Sequence, residues 1–184
     1  KKNDLSRFAM QSQISQAEAK KYFIEHFRIH KWRKTGIIWW NLIDGWPQVS
    51  DAVVDWYGCK KLAYSYIQRS QQPFAMMMDE SKNGKMALFA VNDCQQSING
   101  KYCVTNLVSG EVVAKGVMQI SPNTSIVIEN VQEINHAFYL IEWNTEIGKG
   151  VNHFVCSLDE KWVFEEYIQN MKKANFFSDF QGFS

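Results

Sequence analysis

Thr35-Gly36-Ile37-Ile38-Trp39-Trp40-Asn41-Leu42-Ile43-Asp44-Gly45-Trp46-Pro47 is the stretch on which the fold of this 184-residue chain turns. Ile37 to Leu42 is almost continuously apolar and strand-sized, the pattern of a parallel strand buried on both faces. A polar loop with Gly and Pro comes next, from about Ile43 to Tyr57. In parallel α/β folds, ligands gather at the carboxyl ends of strands. Two aromatics, an amide and a carboxylate at such an end would suit a sugar. A flat ring stacks on the C–H face of a pyranose, and Asn and Asp hydrogen-bond its hydroxyls. Packing inside a core is the commoner reason for Trp on a buried strand. Alternation sends Trp40 and Leu42 one way and Trp39 and Asn41 the other, so at most one of the two Trp faces a pocket.

Helices are predicted on both sides of this strand. Residues 15–34 open on Ser15-x-x-Glu18, a capping box, and continue with Ala19, Tyr22, Phe23, His26, Phe27 and His30 at helical spacing. Lys and Arg crowd the far end, where the helix dipole favours cations. A second helix covers about Cys59 to Arg69, with Leu62, Ala63, Tyr66 and Ile67 on one face. Pro73 then marks a boundary, since Pro stops a helix and forces its predecessor extended. Charge shifts at the same place: residues 1–72 carry 12 Lys and Arg against 6 Asp and Glu, and residues 73–184 carry 8 against 13.

Beyond Pro73 the hydrophobic period becomes two. Strands are predicted at 74–79, 85–93, 101–108, 111–120, 125–131, 136–144 and 150–156. Turn signals such as Asn83-Gly84, Asn99-Gly100, Ser109-Gly110 and Pro122-Asn123 separate them. That spacing matches an immunoglobulin-like β-sandwich. A second capping box, Ser157-x-x-Glu160, opens a short C-terminal helix striped by Phe164, Tyr167, Ile168 and Met171. The aromatic tail from Phe176 to Ser184 is expected to be loosely attached.

Composition excludes several classes. With 46% apolar and 21% charged residues, wholesale disorder is ruled out. A formal net charge of +1 argues against a generally basic nucleic-acid binder. No run approaches the roughly 18 apolar residues of a membrane span. Lys1-Lys2-Asn3-Asp4 is followed by no apolar signal core. Cys59, Cys94, Cys103 and Cys156 include no Cys-x-x-Cys zinc pair and read as free thiols, which slightly favours the bacterial cytoplasm over the periplasm. The unusual figure is 7 Trp, five of them before residue 57.

Other groups invite chemistry and admit a plainer reading. Asp44, Asp51 and Asp55 could supply the paired carboxyls of glycoside hydrolysis, or could cap turns. His26 and His30, at i and i+4, could share a metal, but the sequence is not His-Glu-x-x-His and a helix-surface pair explains them. The run Arg28 to Lys34 could grip phosphate, or could be a solvated helix end. No metal and no cofactor is expected.

The stretch Thr35 to Pro47 closely resembles glycoside hydrolase family 2, in its β-mannosidase and exo-β-glucosaminidase branch. The family's last barrel strand reads roughly Gly-x-x-Tyr/Trp-Trp-x-Leu-Asn-Asp-x-Trp-Pro; Ile43 stands here in place of the usual Asn. Val54-Asp55-Trp56-Tyr57-Gly58 and Lys60-Lys61-Leu62-Ala63-Tyr64-Ser65-Tyr66 resemble the family's loop and helix after that strand, and Val151-Asn152-His153-Phe154-Val155 resembles the segment closing its final sandwich. The resemblance implies a mainly β chain: an immunoglobulin-like β-sandwich preceded by a partial (β/α)8-barrel remnant and followed by a short helix. Residues 1–72 would be the barrel's seventh helix, eighth strand (36–42) and eighth helix (59–70), and 73–184 the sandwich. Trp40 would be the platform beneath a sugar, with Asn41, Asp44 and Trp46 completing the substrate site. The family's acid/base and nucleophile Glu residues would lie upstream of Lys1, so the chain would hold no catalytic carboxylate and would act on a carbohydrate only with the rest of a retaining exo-β-glycosidase. A carbohydrate-binding or scaffolding module is the alternative. A barrel strand without its neighbours has two unpaired edges, so residues 15–72 are expected to dock on the sandwich or to self-associate.

Overall fold

The computed structural model describes residues 4–157 and 163–180. Three α-helices and seven strands come in the order α1 (Leu5–Ile29), α2 (Leu62–Ser70), β1 (Phe74–Met78), β2 (Lys85–Asn92), β3 (Ile98–Asn106), β4 (Val112–Ile120), β5 (Thr124–Gln132), β6 (Ala137–Thr145), β7 (Gly148–Cys156) and α3 (Phe164–Lys173). A 3-10 turn, Phe177–Phe180, closes the described chain. The fold is mainly β.

All seven strands lie where the period-two pattern predicts them, and every pairing is antiparallel. They form a three-stranded sheet, β1-β2-β5, and a four-stranded sheet, β4-β3-β6-β7. Alternate side chains of both sheets meet in one core, where Met76, Met86, Leu88 and Ala90 face Ile98, Val104, Tyr139 and Ile141. Gly150 is required there. A Cβ on it would lie 2.2 Å from the Trp143 ring, so only glycine lets this indole cross the neighbouring strand.

A second core covers the other face of the four-stranded sheet at its β6–β7 end. Phe138 of β6 packs with Ala17 and Ile24 of α1, Leu62, Ala63 and Tyr66 of α2, and Tyr167 and Met171 of α3. The helices therefore dock on the sheet, and Ile29 of α1 reaches into the first core.

Local readings of the helical part need correction. The first helix begins at Leu5, not near Ser15: Asp4 caps it by accepting from the Arg7 N–H at 3.1 Å, and the Ser15 hydroxyl donates to the Gln11 carbonyl inside the helix. A capping-box sequence works as a cap only where the backbone before it is non-helical. The helix ends at Ile29, and Trp32 lies just beyond at a φ of 72°. Residues 36–42 form no strand, because no neighbouring strand lies alongside to complete a ladder. Only an isolated bridge joins Ile43 to Val54 in parallel. The end of α1 is not a solvated cluster either. Arg28 donates to the Gln72 carbonyl at 2.8 Å and, with Lys31, pairs with Asp93. The tail reading changes too, since Phe176 is buried and its ring is crossed by Arg69 at 4.3 Å. Of the Ser157-x-x-Glu160 box only Ser157 is among the described residues; α3 itself starts from Val163, with no side-chain cap bond.

Candidate functional site

Residues 35–57 run as an irregular loop across α1 and α2. Backbone hydrogen bonds from Val53 N to Asn41 O (3.3 Å), Val54 N to Leu42 O (2.9 Å) and Asp44 N to Val54 O (3.1 Å) hold its two limbs together. Side chains of α1 fasten it from beneath. Lys20 Nζ donates to the Trp40 carbonyl at 2.9 Å, and Gln16 Nε2 donates to the Asp51 carbonyl at 2.6 Å. The Trp40–Asn41 peptide is cis.

Asp44 is the anchor of the loop. It is 2% exposed, its Oδ2 accepts from Lys61 Nζ at 3.0 Å, and its Oδ1 accepts from the Ser50 hydroxyl and from Gln48 Nε2 at 3.3 Å. The Ser50 hydroxyl first of all, and the Lys61 ammonium after it, hold the Asp44 carboxyl below the ordinary aspartate range against the effect of burial. It is therefore a fixed carboxylate, acceptor-only and already engaged.

Trp40 and Trp46 differ from it. They are 74% and 64% exposed, and Leu42, Ile43 and Trp56 around them are also exposed. Trp39 turns the other way, half-buried on the helical core with the Lys20 ammonium 4.9 Å from its ring. Asn41 is half-buried and its Oδ1 has no hydrogen-bond partner among the described residues. The alternation of Trp39 against Trp40 therefore survives although the strand does not. Structure brings Asp44 together with Ser50, Gln48 and Lys61, three residues that sequence reasoning passed over. The Lys60-Lys61 pair immediately before a helix was the available signal, because a cation at a helix N-terminus is opposed by the dipole and needs a partner.

Asp55 and the histidines take the plainer roles. Asp55 Oδ1 accepts from the Tyr57 and Cys59 N–H groups at 2.9 and 2.8 Å, closing the turn at Gly58. The His26 and His30 rings lie 4.5 Å apart, tilted by 53°, and no group of three metal-ligating side chains occurs among the described residues. No described helix is long and apolar enough to cross a membrane.

A buried polar network, unforeseen from the sequence, joins the helices to the sheet. Glu18 Oε1 lies 2.7 Å from His153 Nε2 and also accepts from the Tyr167 hydroxyl, which is 2.6 Å from that of Tyr66. Burial works to raise the Glu18 pKa, but the His153 contact, Lys21 and the Tyr167 hydroxyl outweigh it and hold the carboxyl at about 2. Burial lowers the His153 pKa despite Glu18, so the neutral ring donates from Nε2. Two turns on, Glu25 pairs with Lys21 at 2.9 Å and accepts from Asn152 Nδ2 at 2.8 Å, while the same Asn152 amide reaches the Met76 carbonyl of β1 at 2.9 Å.

No protein-family model matches the sequence, and no curated protein does. Among solved structures, the β-D-mannosidase of Dictyoglomus thermophilum matches with a TM-score of 0.70 at 26% identity, over 79% of this chain and 19% of that one. The resemblance is to glycoside hydrolase family 2. An exo-chitosanase of Amycolatopsis orientalis shares the fold at a TM-score of 0.62 and 16% identity, over 83% of this chain and 20% of its own. A complex of that exo-chitosanase with PNP-β-D-glucosamine matches to the same extent, TM-score 0.62 at 16% identity. The chain thus spans about a fifth of the length of the family 2 structures it matches.

Proposed function

We propose that this chain is the C-terminal portion of a retaining exo-β-glycosidase of family 2, one that hydrolyses a terminal β-linked sugar. In this reading residues 1–72 are the end of its (β/α)8 barrel, and 73–184 are its immunoglobulin-like sandwich with a C-terminal helix. The sheet orders β1-β2-β5 and β4-β3-β6-β7 support the sandwich. A barrel needs roughly 250 residues to close, so the catalytic carboxylates belong to chain upstream. They would act by double displacement, one carboxyl as acid/base and the other as nucleophile.

This chain's contribution is the floor of the sugar site. Trp40 is the platform, Trp46 the rim and Asn41 a hydroxyl contact. Asp44, buried and held by Ser50 and Lys61, fixes the loop between the two Trp and so shapes the rim. The observation that carries the reading is the structural match to the β-mannosidase at 26% identity over 79% of the chain, on which two Trp stand exposed beside an anchored Asp.

Aryl β-mannoside, β-glucoside and β-galactoside are the test substrates. The isolated chain is expected to leave all three intact, and the full reading frame to turn over at least one. Turnover by the isolated chain, or a reading frame without two strand-end Glu upstream of Lys1, would overturn the proposal. The exposed Trp40 and Trp46 also favour a second reading, a non-catalytic carbohydrate-binding module. Saturable quenching of Trp fluorescence by a monosaccharide, lost in Trp40→Ala, would favour it.

A further inference from the structure

We propose that the cleft between α1, β1 and β7 is a binding site for a small neutral polyol, recognised through a vicinal diol. The cleft is separate from the Trp40 loop. Gln16 and Lys20 hold that loop from one stripe of α1, while Glu18, Lys21 and Glu25 line the cleft from another. Its volume of about 470 Å³ lies in the range of small-molecule sites.

Unfilled hydrogen-bonding capacity points to the ligand. Lys21 is 3% exposed, and among the described residues its ammonium donates one hydrogen bond, to Glu25 Oε2, although it carries three N–H groups. Glu18 accepts two hydrogen bonds at Oε1 and none among the described residues at Oε2. A buried ammonium with spare donors is costly unless something fills them, and Glu18, its side chain 30% exposed, keeps Oε2 open to a ligand where it lines the cleft. The two side chains stand at i and i+3, hence on one face of the helix. A diol fits both: one hydroxyl donates to Glu18 and its neighbour accepts from Lys21.

Charge selects a neutral ligand. Lys21 and Glu25 cancel, Asp79 of the lining is matched by Lys82 at 2.8 Å, and burial favours the neutral forms of His153 and His26, so Glu18 remains as a net negative charge that repels anions. An organic cation would instead meet the Lys21 ammonium. Ile14, Met78 and Phe154 supply apolar wall for the carbon skeleton.

Erythritol and glucose are the probes, titrated calorimetrically into the 184-residue chain with backbone amide NMR shifts as the locating readout. Saturable binding with shifts along α1 is expected. It should persist in Trp40→Ala, weaken about tenfold in Glu18→Gln through loss of a charge-assisted hydrogen bond, and vanish in Ala19→Trp. Ala19 lines the cleft from an exposed position, so the indole plugs the mouth without entering a core; Ser15→Trp is the second plug should that variant fail to fold. Absence of saturable binding, survival of binding in both plugged variants, or its loss in Trp40→Ala would overturn the proposal.

Discussion

The two parts of this molecule satisfy their backbones by different means. From Phe74 to Cys156 the seven strands pair in antiparallel ladders within one sheet or the other. From Thr35 to Tyr57 no ladder forms, and the chain hangs on single contacts: Lys20 on the Trp40 carbonyl, Gln16 on that of Asp51, Lys61 and Ser50 on Asp44. The apolar side chains follow suit, interdigitated in the sheets but at the surface in the loop, where Ile38, Trp40 and Trp46 stand open. A buried-strand sequence is a request for neighbours. Where the chain supplies them, strands result; where it does not, the same pattern yields an apolar surface.

The ties between the parts offer the strongest way to break this contrast. Glu25→Leu leaves the Lys21 ammonium buried without its counter-charge and removes the acceptor of Asn152, and should cost about 3–5 kcal/mol in urea unfolding. If the loss were under about 1 kcal/mol, the helices would not depend on that tie. Glu18 adds a pH dependence to the same junction. Its folded pKa of about 2 lies below the ordinary 4.5, so its stabilisation is complete above pH 4.5 and is lost as pH falls through 4.5 toward 2. Unfolding midpoints measured at intervals across that range should fall less steeply in Glu18→Gln than in the unaltered chain.

Smaller effects separate the parts further. Gly150→Ala drives a methyl group into the Trp143 indole and should destabilise the two-sheet core by about 2 kcal/mol, read from thermal unfolding with loss of the near-ultraviolet Trp signal. Trp40→Ala, by contrast, removes an exposed ring and should change stability by less than about 0.5 kcal/mol. A larger loss would show that Trp40 packs as core, which would count against the proposed role as a sugar platform.

The sheet strands and the faces of α2 and α3 were legible in the sequence because each depends on local periodicity, and Met76 to Met78, Leu88 and Ile141 lie inside as period and apolarity require. The face of α1 was not, since Ala19, Tyr22 and Phe23 are exposed and Ala17, Lys21, Ile24, Glu25 and Ile29 are the buried ones. The family resemblance was legible in Thr35 to Pro47 and is matched by the β-mannosidase and exo-chitosanase structures. Helix limits were less so: Ser15-x-x-Glu18 has the letters of a cap, but the helical residues ahead of it deny it that role. The site was legible only in part. Trp40, Asn41, Asp44 and Trp46 could be named, whereas Lys61 and Ser50, which fix Asp44, lie 17 and 6 residues away along the chain.

Sequence alone therefore determined what repeats within a turn or a pleat: the seven strands from Phe74 to Cys156, the buried faces of the two shorter helices, and where the turns between strands fall. Only the tertiary structure decided that Glu18 would meet His153 from 135 residues away, that Asn152 would bridge α1 and β1, and that 36–42 would lie open. The physical reason is that local propensity is carried by neighbouring residues, while burial of a charge or pairing of a strand depends on what the rest of the chain brings alongside.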